Sequence, residues 1–143
     1  MNRTSHIAIL ITWCLFWPFS AGCGNSVELG QVAGTITLDG QPLAKAKIEF
    51  QPQEIGSPSY GRTDENGHYE LMFAVDTPGA MLGKHVVRIS TFRQEPGSGG
   101  PPVTIPERVP PKYNEKSELI REVKPGRNTF DFRLEGALSG PDG

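Results

Sequence analysis

Two patterns of apolar residues divide the chain. Residues 7–19 are apolar at every position except Thr12. At 13 residues this run is too short to span a bilayer, which needs about 20. Arg3 precedes it, and the small residues Ser20, Ala21 and Gly22 follow. A basic start, a short apolar run and a small-residue site make up an export signal peptide. Beyond Gln31 the pattern changes to alternation, the period of a half-buried strand. Val32, Ile36 and Leu38 share one face of residues 31–38, and Ala33, Thr35 and Thr37 share the other. Gly34 falls on the inner face, where a glycine marks a bulge or a close contact. The same spacing places Ala46, Ile48 and Phe50 inward in residues 46–51, with Pro52 as the stop. It predicts a short strand at 60–63. Tyr69, Leu71 and Phe73 point inward in 68–73, as do His85, Val87, Ile89 and Thr91 in 84–92. Residues 119–123 read as a strand or an irregular edge, and 128–134 turn Phe130, Phe132 and Leu134 inward.

Turn chemistry separates these runs. Asp39-Gly40 and Asn66-Gly67 suit tight hairpins, because both residue pairs tolerate positive φ. Pro78-Gly79 and Pro125-Gly126 break the alternation. Residues 93–112 hold Pro101, Pro102, Pro106, Pro110 and Pro111, and are expected to form a mobile loop without regular elements. No apolar stripe at helical spacing follows Phe19. About seven short strands between turns predict an all-β fold, a single β-sandwich. The chain divides into a signal peptide (1–22), Cys23 and a tether (23–30), the sandwich (31–134) and a frayed tail (135–143).

Composition narrows the function classes. A chain of 143 residues holds one domain plus extras. Its net charge of −2 supplies no excess of cations to neutralise phosphates, which excludes a basic nucleic-acid binder. Two cysteines exclude a disulfide-dense scaffold and a four-cysteine zinc site. Cys14 lies in the apolar run, so cleavage leaves Cys23 alone and the sandwich must be held by its core.

Candidate chemistry is sparse. Asp64, Asn66 and Glu70 around Gly67 carry side-chain oxygens of the kind that ligate calcium, but their spacing departs from a calcium loop and suits a hairpin turn. His68 and His85 lack neighbouring ligands in sequence, and are expected to be solvated and half-buried respectively. No metal site and no cofactor is expected. No Gly-x-Ser-x-Gly elbow is present. Lys112, Tyr113 and Asn114 form the most interesting exposed stretch. An aromatic between polar groups suits sugar or peptide contact, and the same tyrosine could instead pin the long loop to the sandwich.

Two resemblances sharpen these expectations. Ser20-Ala21-Gly22-Cys23 resembles the lipobox of bacterial lipoproteins, with Ser20 where leucine is usual. That resemblance implies that Cys23 is lipidated and becomes the first mature residue; the alternative is cleavage near Ala21 or Gly22 that leaves a free thiol. Residues 34–44 (Gly-Thr-Ile-Thr-Leu-Asp-Gly-Gln-Pro-Leu-Ala), the Thr63-Asp64-Glu65-Asn66-Gly67-His68-Tyr69-Glu70-Leu71 hairpin and Gly83-Lys84-His85-Val86-Val87-Arg88-Ile89 resemble the carboxypeptidase regulatory-like domain. The ending through Pro111-Lys112-Tyr113-Asn114 and Asn128-Thr129-Phe130-Asp131-Phe132 is similar to a version common in small lipoproteins of planctomycete-type bacteria. The resemblance implies a transthyretin-like sandwich without a general catalytic site. It implies an exported protein, anchored by lipid to a membrane and facing the periplasm or cell surface, with an envelope protein or glycan as partner. A carbohydrate- or peptide-binding accessory module is the alternative, and a small envelope enzyme a weaker one.

Overall fold

The computed structural model describes residues 26–136. The signal peptide, Cys23 and residues 137–143 lie outside the described residues. The chain forms β1 (Leu29–Leu38), β2 (Gln41–Pro42), β3 (Lys47–Pro52), β4 (Ser59–Arg62), β5 (His68–Glu70), β6 (Met72–Ala74), β7 (Thr77–Pro78) and β8 (Ala80–Met81). It continues through β9 (Gly83–Ser90), β10 (Arg93–Glu95), β11 (Val103–Ile105), a 3₁₀ turn (Pro111–Tyr113), β12 (Ile120–Val123), β13 (Gly126–Thr129) and β14 (Phe132–Leu134).

These elements make an all-β sandwich of two layers. The first is built on β1. One edge of β1 pairs with β13 and then β14, both parallel. Its other edge takes three short antiparallel pieces in turn: β8, β5 and β2. The second layer is antiparallel throughout, in the order β12-β9-β3-β4-β6-β7. The inward positions fill the space between the layers. Ile36, Ile48, Phe50, Leu71, Val87 and Ile89 are fully buried, each contributing about 1.5–3 kcal/mol of apolar burial. Phe50 stands at the centre, stacked on Phe130 at 6.0 Å between ring centroids and edge-on to Phe132 at 6.5 Å.

The turns follow their chemistry, although the one at 64–67 closes no hairpin: it carries the chain from β4 in the second layer to β5 in the first. Asp39 and Gly40 have φ of 50° and 78° and close the two-residue β1–β2 hairpin. In the next turn the Asp64 carboxylate accepts from the N–H groups of Asn66 and His68, at 2.8 and 2.9 Å. This is an Asx turn, so that carboxylate is occupied with the backbone.

Four expectations are corrected. Residues 68–73 are not one strand: β5 pairs with β1 and β6 with β4, so the chain changes layers at Leu71. Residues 128–134 are likewise split at Phe130 and Asp131, where the backbone presses against Gly34. A Cβ on Gly34 would lie 2.0 Å from the Phe130 carbonyl oxygen, so only glycine admits this approach. Pro52, by contrast, is the last residue of β3 as expected; it lies opposite His85, and one further bond runs from the Gln53 N–H to the Lys84 carbonyl at 2.9 Å. Residues 93–112 contain regular structure after all. β10 and β11 pair as a hairpin from Arg93–Ile105 to Glu95–Val103. The prolines fall at the tip (Pro96, Pro101, Pro102) or beyond the base (Pro106), where no ladder donor is required. Residues 78–80, expected only to interrupt, contribute to β7 and β8.

Registers give the sandwich two distinct ends. At one end lie Ser26–Glu28, the 53–58 loop, the 75–76 turn, Gly83 and the turn before Gly126. The Glu28 carbonyl accepts from Leu82 N–H, and Gly83 pairs with Val123. At the opposite end lie the turns at 39–40 and 64–67, the β10–β11 hairpin and Gly136, whose N–H donates to Asp39 at 2.8 Å.

Candidate functional site

The exposed stretch singled out by sequence sits in the segment that returns from the β10–β11 hairpin toward β12. Its three residues behave differently. Tyr113 is partly buried and packs against the core, and its hydroxyl accepts from the Glu135 N–H at 3.3 Å. The Lys112 ammonium stands 4.8 Å from the Tyr113 ring centroid. Asn114 turns away from both, donating through Nδ2 to Glu107 Oε2 at 2.7 Å. The tyrosine therefore pins the segment, and Asn114 belongs to a separate cluster.

Glu107 organises that cluster, and sequence reading missed it. Its Oε1 accepts from Thr91 N–H at 2.9 Å, Thr91 Oγ1 at 2.8 Å and Val109 N–H at 2.9 Å. Its Oε2 accepts from Ser90 Oγ at 2.5 Å as well as from Asn114. Burial pushes the Glu107 carboxyl up, but the Ser90 hydroxyl and the Thr91 and Val109 amides together outweigh burial and hold it at about 2. A carboxylate so committed to donors is a clamp. It is ionised throughout the neutral range and has little capacity to take up a proton.

Beside the clamp lies a shallow recess of about 280 Å³ lined by Lys47, Glu49, Arg88, Ser90, Phe92 and Asn114. β3 and β9 supply its floor. Glu49 and Arg88 are opposite each other in the ladder and bonded at 3.2 Å. Phe92 is 55% exposed at the rim. A second recess of about 320 Å³, along Glu107, Pro110 and Pro111, shares Asn114. The arrangement presents an apolar ring face and an amide beside a guanidinium and an ammonium that both pair with the Glu49 carboxylate, at 3.2 and 3.9 Å. Of the three sequence candidates, the structure brings only Asn114 to this recess.

The histidines are apart from it. His68 is exposed, with Nδ1 3.7 Å from Asp64 Oδ2. His85, expected to be half-buried, is 1% exposed, because its inward position on β9 faces Phe50 at 5.8 Å. Its Nδ1 contacts the Gly83 carbonyl at 3.0 Å and must donate there, leaving Nε2 an acceptor with no partner among the described residues. Burial lowers the His85 pKa, with the Gly83 contact opposing. Among the described residues no group of three or more His, Cys, Asp or Glu side chains is placed to hold a metal ion.

Fold and geometry together define a small β-sandwich whose one end carries a clamped hairpin and a polar, aromatic-rimmed recess. No protein-family model and no curated protein matches the chain. Among solved structures it is similar to part of a 9R-lipoxygenase from Cyanothece PCC8801, at 18% identity and a TM-score of 0.48, over 81% of this chain and 18% of that one. The match thus spans less than a fifth of the lipoxygenase.

Proposed function

We propose that this chain is a lipid-anchored, non-catalytic envelope protein of the carboxypeptidase regulatory-like kind, whose sandwich serves as a binding or structural module. Cys23 carries the anchor after removal of residues 1–22. The observation that carries the reading is the spacing of Cys23 from the fold: β1 begins at Leu29, so the small-residue site stands just outside the domain and cleavage there leaves the sandwich whole. A single acyl chain holds a protein only marginally, and stable residence requires two or more. The absence of a catalytic role is supported by the fate of the perturbed acids. Glu107 is spent on a hairpin, Asp64 on a turn and Glu95 on its bond from Arg93.

Intact mass and detergent partitioning of the membrane fraction, beside a Cys23→Ser variant, test this. Wild-type protein carries diacylglyceryl and acyl mass and partitions with detergent, and the variant is soluble. Cleavage near Gly22 without added mass defeats the anchor and leaves Cys23 a free thiol.

The second reading, a carbohydrate- or peptide-binding accessory module, is favoured by the recess at Phe92, Arg88 and Asn114. It is compatible with the anchor, because the recess lies at the end of the sandwich away from Ser26.

A further inference from the structure

We infer that the end of the sandwich bearing Val27, Ile55 and Val75 rests on the lipid bilayer, so that the domain docks against the membrane rather than swinging on its tether. This rests on the anchor reading given above.

The three side chains come from separate segments that the strand registers gather at one end. β3 ends at Pro52 and leads into the loop holding Ile55. β4 runs antiparallel to β3, and β6 antiparallel to β4, so β6 ends beside that loop and leads to Val75. β1 starts there too: Leu29 pairs with Met81, and a Cβ on Gly56 would lie 2.6 Å from Met81 Sδ. Ile55 and Val75 are 101% and 90% exposed, and Val27 is 50% exposed. Branched aliphatic side chains fully in water at two neighbouring loop tips contribute nothing to the core. They are placed to contact an apolar surface outside the molecule.

The chain's length identifies that surface. Only Gly24 and Asn25 separate Cys23 from Ser26. Each residue spans at most about 3.6 Å, so Ser26 stays within about 11 Å of the anchored cysteine. An interfacial side chain needs to reach only about 5–10 Å into the headgroup boundary. A lipid on Cys23 therefore keeps the end of the sandwich that bears Ser26, and with it the exposed tips, on the membrane side of the domain.

Charge predicts the character of the contact. Lys84, Lys124 and Arg127 lie at this end, but so do Glu28, Glu54, Asp76 and Glu122. The signs nearly balance, so the contact draws on the apolar tips and the anchor, and does not require anionic lipid or low salt.

Tryptophan placed at the tips tests this. Trp13 and Trp17 both precede Cys23, so processed protein has no other indole. Full-length protein carrying Ile55→Trp, Val75→Trp or, at the opposite end, Val103→Trp is purified from membranes and set in phosphatidylcholine nanodiscs with or without brominated acyl chains. Intact mass establishes lipidation first. For the lipidated protein, brominated lipid removes about half the emission of I55W and V75W, as expected for side chains at the acyl boundary, and leaves V103W unchanged. The pattern persists at high salt. Lipidated protein with no quenching at Ile55 or Val75 overturns the docking while leaving the anchor intact. Blue-shifted emission at the tips that brominated lipid does not quench points to a second copy as the occupant and overturns it too. Protein without added mass overturns the anchor reading, and the docking with it.

Discussion

Thr91 and Glu107 are joined twice: the Thr91 N–H and hydroxyl both donate to Glu107 Oε1, at 2.9 and 2.8 Å. The two residues stand at the base of the β10–β11 hairpin, just outside its first pair, Arg93–Ile105. The excursion is therefore closed where it leaves the sandwich, by a side chain bound to the opposite strand. The Arg108 N–H donating to Thr91 Oγ1 at 2.7 Å completes the closure.

Removing the carboxylate should loosen this segment locally. Glu107→Ala is expected to cost about 1 kcal/mol, allowing for the solvent exposure of the group. Amide exchange in β10 and β11 should rise well above that in β3 and β9. Equal exchange in variant and wild type would mean that the hairpin is held by its own ladder.

The same group gives an acid-sensitive window. Its folded pKa of about 2 lies below the ordinary 4.5, so its contribution is complete above about 4.5 and is lost as pH falls toward 2. Thermal melts of wild type and Glu107→Gln should converge through that range.

His85 acts in a different window. Burial holds its folded pKa below the ordinary 6.5, so the unfolded chain takes up a proton first as pH falls. Stability should decline as pH drops below about 6.5, before the Glu107 window opens. His85→Leu should abolish that decline and, by removing a buried nitrogen that has no partner among the described residues, match wild type at pH 7 within about 1 kcal/mol. A decline that persists in the variant would assign it to another group.

Gly34→Ala should be among the costliest single-methyl changes in the domain. The clashing atom is backbone, the Phe130 carbonyl, so relief requires moving the β13–β14 junction. A loss above about 2 kcal/mol is expected. Gly40→Ala is the comparison: nothing lies within 4 Å of its added carbon, and only the positive φ penalises it, by about 1–2 kcal/mol. Denaturant midpoints should rank the two.

Phe92→Ala should leave stability within about 0.5 kcal/mol, since the ring is half exposed at a rim. Screened against glycans and peptides, any ligand of the recess should lose about tenfold in affinity on that change. A ligand indifferent to Phe92 and Arg88 would bind elsewhere.

The sequence disclosed what local chemistry decides. Asp39-Gly40 and Asn66-Gly67 announced their turns, and the alternation at Ile48 and Phe50 or Val87 and Ile89 announced which side chains face the core. It concealed what depends on a distant partner. The break at Phe130 exists because Gly34, far earlier in the chain, lets the backbone approach. The β10–β11 hairpin has three pairs, too few for an alternation to register beside so many prolines and glycines. Glu107 looks like any loop acid until the fold brings Ser90 and Thr91 to it. The recess gathers Lys47, Arg88 and Asn114 from three distant stretches, which is why Tyr113 drew attention instead.

The parallel pairing of β1 with β13 and β14 has a mechanical consequence. The chain enters the sandwich at one end and leaves it at the other, with its first and last strands side by side. A force applied between the two termini pulls these strands past each other along their length. The ladder then resists in shear, with its hydrogen bonds sharing the strain, rather than opening one bond at a time like a zip. A tether running from one surface to another through such a domain would pass its tension along β1.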